Sequence, residues 1–233
     1  AALGAPAQMH GGVTANREII GLSGTDPNTW EMEPKRRWAR LTGAHDFIDE
    51  ELRNGSALEL AFGDGGMATL RPVLACKARF ELLSDSKKAI SAYDRVQIGM
   101  KGPIWQYSDA VIAGLVAHEL AHTLLNHSAW HKEHGRKRRH VRLTEREADR
   151  LAPWLLANTQ YGADAAYEFM TTWGPKHSRG WLTRARTHDG WDERAEFIKA
   201  EIARVEQAMA SHGKADWSTH FKREIDPDGP IPK

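Results

Sequence analysis

His118 and His122 stand four positions apart, with Glu119 beside the first of them, inside the stretch A-V-I-A-G-L-V-A-H-E-L-A-H-T-L-L from Ala110 to Leu125. Apart from these three residues and Thr123 the stretch is apolar on every side, the pattern of a helix buried all round. Burying two imidazoles and a carboxylate is costly unless each finds a partner. On a helix, positions i and i+4 lie about one turn apart, roughly 6 Å along the axis and nearly in line. Both rings can therefore reach one ion, which would satisfy them together with the carboxylate. The competing reading, histidines simply packed in a core helix, leaves those groups without such partners. Ser108 or Asp109 is placed to cap the helix start. Catalytic zinc takes three protein ligands and a water whose pKa it lowers to about 7. The pattern thus needs a third ligand and offers Glu119 as the general base.

The missing ligand narrows the class. A metzincin would have glycine three residues after the second histidine and a third histidine three further on, and this chain has Leu125 and Ser128 there. A glutamate on a later, separate helix defines the gluzincin arrangement. Glu145 fits it, 23 positions after His122 in the amphipathic run V-R-L-T-E-R-E-A-D-R-L-A-P-W-L-L. Asp149, one turn beyond on the same face, is placed to accept the free ring N–H of a ligating histidine and hold its tautomer. Glu147 is the rival ligand. At i+2 from Glu145 it points to another side of the helix, so only one of the two can face the metal.

The pairing of H-E-L-A-H with E-R-E-A-D, an E-x-x-A-D motif, resembles metallopeptidase family 48, the gluzincins that include HtpX-like heat-shock proteases and CAAX prenyl proteases. The resemblance extends over about residues 70 to 205. His127 matches a histidine common five residues after the second ligand, and Asn158 to Ala166 resembles the family's A-x-x-G-Y-D-P-x-A-A turn without its first glycine and its proline. Ile90 to Ile98 resembles the edge strand before the active helix. Thr187-His188-Asp189 with Glu193-Arg194 resembles the S-H-P-x-x-x-x-R segment, Asp189 standing where the family has proline. The resemblance implies an α+β, mainly helical zincin fold with a small sheet beside the HExxH helix, and one zinc ion held by His118, His122 and Glu145. It implies that His188 either donates to the oxyanion or fills the open coordination position, and that Arg194 positions substrate or stabilises charge. It also implies that the backbone from Ala92 through Val96 to Ile98 takes an extended peptide as an added strand.

Lysine plus arginine at 32 against aspartate plus glutamate at 31 gives no global bias towards nucleic acid. The basic run Lys132 to His140 has no aromatic interleaving and reads as a solvated loop. No apolar run approaches the roughly 20 residues of a spanning helix, and only Thr123 to Thr144 separates the two zinc motifs, so a minimal member without integral membrane segments is expected. Residues 1–28 read as a surface extension, 29–212 as one catalytic domain and 213–233 as a tail. Within the domain, helices are expected at Glu33 to Leu52, 108–126, 142–158 with a kink near Pro153, 163–173 and 191–211. Strands are expected within 57–83, with a turn at Gly63 to Gly66, and within 90–99. His10, His45, His131, His177, His212 and His220 show no second metal spacing and read as surface residues. A lone Cys76 excludes an internal disulfide. The start at Ala-Ala-Leu, without methionine, reads as a chain matured by signal cleavage, hence periplasmic or secreted, although a cytoplasmic location fits the lone thiol equally. Two functions fit: a zinc endopeptidase acting on peptide or unfolded-protein substrates, and a zinc-stabilised chaperone or binding module with little or no turnover. Glu119 favours the first, since a structural zinc site is normally closed by a fourth protein ligand and has no use for a base.

Overall fold

The computed structural model describes residues 7, 11–14, 16–32, 39–73, 78–177 and 189–226 of the chain. It is an α+β protein with two small sheets, and the chain divides into two compact units, residues 1–75 and 76–233. His188, Cys76 and His10 lie outside the described residues.

In the first unit, β1 (Ile19–Leu22), β2 (Leu58–Phe62) and β3 (Met67–Leu70) form an antiparallel sheet in that order. Alternation along β2 turns Leu58, Leu60 and Phe62 inward, where they pack with Leu22, Val13 and Ala68. Helix α1 (Ala39–Arg53) adds Phe47, whose ring centroid lies 6.0 Å from that of Trp30. The helix ends at Asn54-Gly55 as expected, and its expected first turn falls in the undescribed residues 33–38. The strand at 19–22 was not legible. A register shift between Ile19 and Gly21 breaks the two-residue alternation that marks a strand.

The second unit carries every candidate site residue that the structure describes. Its sheet is β4 (Arg79–Leu83), β5 (Ala89–Ala92) and β6 (Arg95–Gly99), in the order β4-β6-β5. The run expected to be a single edge strand is instead a hairpin, turned at Tyr93-Asp94 with Tyr93 at φ 54. Few tyrosines adopt this left-handed conformation, so the turn has no sequence signal of the Asn-Gly kind. β6, parallel to β4 and antiparallel to β5, is the central strand. Val96 and Ile98 are therefore buried in the core with backbones paired on both sides, and cannot receive an added strand; Ala92 belongs to the true edge, β5.

Helix α2 (Asp109–Leu124) is the apolar HELAH helix, and Ser108 caps it by accepting from the Val111 N–H at 3.3 Å. It is packed against the sheet and the later helices through Val111, Leu115, Phe169, Ile198, Val96 and Ile98. After α3 (His127–His134), α4 (Arg138–Leu156) runs helical through Pro153. Only 135–137 of the basic run lie outside a helix, which corrects the loop reading, and His140 within it is buried. α5 (Asp164–His177) and α6 (Trp191–His212) follow near their expected places, then α7 (Trp217–His220). Residues 213–226 are not a loose tail. Ala215 and Ile225 are buried, and the Asn158 amide donates to the Ala215 carbonyl at 2.6 Å. No helix among the described residues is long and apolar enough to cross a membrane.

Candidate metal centre

One turn of α2 presents His118 and His122 on one face, and α4 brings Glu145 against them. The His118 and His122 Nε2 atoms are 3.3 Å apart, and the Glu145 carboxylate lies 3.5 Å from the first and 3.4 Å from the second. These three residues could hold a metal ion. An ion with bonds of 2.0–2.1 Å in tetrahedral geometry separates its ligand atoms by about 3.3–3.4 Å, which the two Nε2 atoms match, with the Glu145 carboxylate beside them, Oε2 next to His118 and Oε1 next to His122. Two imidazole nitrogens with one carboxylate do not suit calcium or magnesium, which take oxygen ligands.

The surroundings orient the donors. His118 Nδ1 lies 3.0 Å from Asp149 Oδ1, so a carboxylate backs the ring while Nε2 faces the triangle. Burial opposes charge on His118, yet the carboxylates of Asp149 and Glu145 outweigh it and hold the ring protonated up to about 10. Without an ion, a proton is the cation these carboxylates demand. Asp149 is itself buried, which favours its neutral form, but Arg194 keeps it ionised and holds its pKa down. The Arg194 guanidinium donates to both Asp149 oxygens, at 2.6 and 2.7 Å, and sits 3.6 Å from Glu145. Arg194, expected to position substrate, thus stands behind Asp149 and also lines the cleft.

Glu147 points away from the triangle. It is fully buried and faces His127 Nε2 at 3.0 Å, while His127 Nδ1 lies 2.8 Å from His122 Nδ1. Burial favours the neutral carboxyl, but His127, Arg223 and the Ile225 N–H together pull Glu147 down to about 2. Burial pushes His127 down to about 4, so it is neutral near pH 7. The reading of Glu147 as a rival ligand missed this role. Nothing at sequence level links it to Arg223, 76 positions away.

Glu119 opens on a cleft of about 810 Å³ shared with His118, His122 and Glu145. One wall is the edge strand β5, through Ala89 to Ser91, and another carries Trp173 and Trp191. The Gly99 N–H donates to the Lys88 carbonyl. By antiparallel alternation, Ile90 and Ala92 pair inward with β6, and the backbone groups of Ala89 and Ser91 point away from it. The Tyr93 N–H donates to Ser128 Oγ at 3.3 Å, tying the hairpin to α3. His131, expected at the surface, is buried on the same cleft with Nε2 3.0 Å from Thr144 Oγ1. His212 and His220 stack with ring centroids 4.7 Å apart, and His220 stacks in turn on Trp154. Comparison of the chain with protein-family models, with curated proteins and with solved structures finds no match.

Proposed function

We propose that this chain is a zinc-dependent endopeptidase of the gluzincin type, related to metallopeptidase family 48 and built on the zincin plan in its second unit. It would hydrolyse peptide bonds in extended or unfolded protein substrates. The observation that carries the reading is the triangle of His118, His122 and Glu145, with Glu119 opening on the same cleft. Zinc, when bound, supplies a water that ionises near neutral pH and an electrophile for the scissile carbonyl.

The chain's own residues do the rest. Glu119 takes the proton of the attacking water and returns it to the departing amine. Asp149, held by Arg194, fixes His118 as a donor through Nε2. The outward backbone groups of Ala89 and Ser91 bind the substrate as a further strand along β5, which fixes the peptide by main-chain bonds and leaves side-chain choice to the cleft walls. Glu119 in a site of this kind supports hydrolysis over a purely structural role for the metal.

Cleavage of casein or a fluorogenic peptide by zinc-loaded protein, set against Glu119→Gln with bound zinc measured in both, tests the proposal. Both proteins should hold zinc, and the variant should lose about 10²–10⁴-fold in turnover. Equal turnover in the two would sink the mechanism. Zinc bound by both with cleavage by neither would leave a zinc-stabilised binding module.

A further inference from the structure

The two candidate ligand histidines are backed in different ways. Behind His118 stands a carboxylate clamped by an arginine: Asp149 at 3.0 Å, then Arg194 from α6. Behind His122 stands another histidine, and the carboxylate and its arginine come one step later. His127 Nδ1 is 2.8 Å from His122 Nδ1, His127 Nε2 is 3.0 Å from Glu147, and Glu147 accepts from Arg223 at 3.0 Å. It also accepts from the N–H groups of Glu224 and Ile225, at 2.9 and 3.1 Å.

The direction of each hydrogen bond follows from Glu147. An ionised carboxylate only accepts, so the proton between it and His127 sits on His127 Nε2. The two Nδ1 atoms of His127 and His122 face each other at 2.8 Å, so one donates and the other accepts, and His122 can offer Nε2 to an ion only when its own proton is on Nδ1, which makes His127 Nδ1 the acceptor. That leaves the His122 lone pair on Nε2, the atom in the triangle. Reversing the bond to Glu147 would set two acceptors face to face, and reversing the bond between the rings would take the lone pair away from His122 Nε2. Arg223 completes the series and also donates to the Leu125 carbonyl at 3.2 Å, at the C-terminal end of α2.

We propose that Glu147 and Arg223 are positioning residues that set the tautomer and ring orientation of His122 through His127, so that the C-terminal segment around Ile225 controls how tightly the triangle holds its ion. The proposal rests on the metal reading above. Partners of ligating histidines are worth about 10–100-fold in metal affinity. Here the partner of a partner is supplied by a segment distant in sequence.

The test measures zinc affinity of the full chain by competition with a chromogenic chelator. Arg223→Met removes the guanidinium and leaves the backbone N–H groups on Glu147. Glu224→Gln removes the charge paired with Arg150 at 2.8 Å in the same segment and leaves the groups on Glu147 in place. Arg223→Met should bind zinc about 10–100-fold more weakly, Glu224→Gln should stay within about twofold of wild type, and the cobalt-loaded spectrum should change in the first variant alone. Unchanged affinity in Arg223→Met, or equal loss in both variants, overturns the proposal. Should Arg223→Met not fold, the ring-nitrogen NMR shifts of metal-free wild type decide. They should show His127 protonated at Nε2 and His122 at Nδ1, and the opposite tautomer at His127 overturns the relay. Wild-type protein that takes up no zinc at all overturns the metal reading and the relay with it, whereas zinc uptake unaffected by Arg223→Met overturns the relay alone.

Discussion

Asp149 and Arg194 show how burial turns a familiar pair into a constraint. The Asp149 side chain is 1% exposed and the Arg194 side chain 15%, and they meet through two short bonds. Removing one partner of a buried pair leaves an uncompensated charge, which typically costs about 3–5 kcal/mol. Arg194→Met should therefore lower the unfolding free energy by about that amount in urea titrations of metal-free protein. An Arg194 whose work was to bind substrate would give unchanged stability and a raised KM, and that result would restore the role the family resemblance implied.

At the level of elements, two contacts decide the cleft. α2 and α5 approach so closely at Gly114 that an added Cβ would collide with Phe169 Cβ and sit 2.6 Å from the Ala165 carbonyl oxygen. Backbone cannot yield there as a side-chain tip would, so Gly114→Ala should cost about 1–3 kcal/mol, read as a lowered thermal midpoint. A variant as stable as wild type would mean that the helices part freely. On the opposite wall, the Ser91 N–H points away from β6. Ser91→Pro should thus spare the β5–β6 ladder and remove a donor for an extended substrate. The expected result is a drop in kcat/KM with a thermal midpoint close to wild type; unaltered kcat/KM would place the peptide elsewhere.

Over the whole molecule, Glu147 joins α4 to the C-terminal segment and draws both into the pH response. Its folded pKa of about 2 lies below the ordinary value of 4.5. The stability it contributes is complete above pH 4.5 and is lost as pH falls towards 2, because the unfolded chain takes up the proton first. Metal-free Glu147→Gln should have a lower urea midpoint than wild type at pH 7, and the gap should narrow as the pH is lowered through 4. A gap that stayed constant would show that the carboxylate's charge contributes nothing. Residues 213–226 belong to the second unit for the same reason, since Ile225 is buried and its N–H is bound by Glu147.

Local periodicity was legible wherever one element carried the whole signal. The apolar run of Ala110 to Leu125 dictates a buried helix, the i, i+4 spacing sets both histidines on one face, and the four-residue step from Glu145 to Asp149 aligns two carboxylates, because helix geometry fixes these relations without help from the rest of the chain. What lies between elements was not legible. A turn through a tyrosine at positive φ hid the β5–β6 hairpin and misassigned the edge strand to Val96 and Ile98. Register and strand order are set by pairing, and no single strand records which neighbours it has. Arg194 behind Asp149, and Arg223 behind Glu147, depend on contacts spanning 45 and 76 positions. A lone arginine in sequence carries no mark of the buried carboxylate it will meet, and only packing decides that.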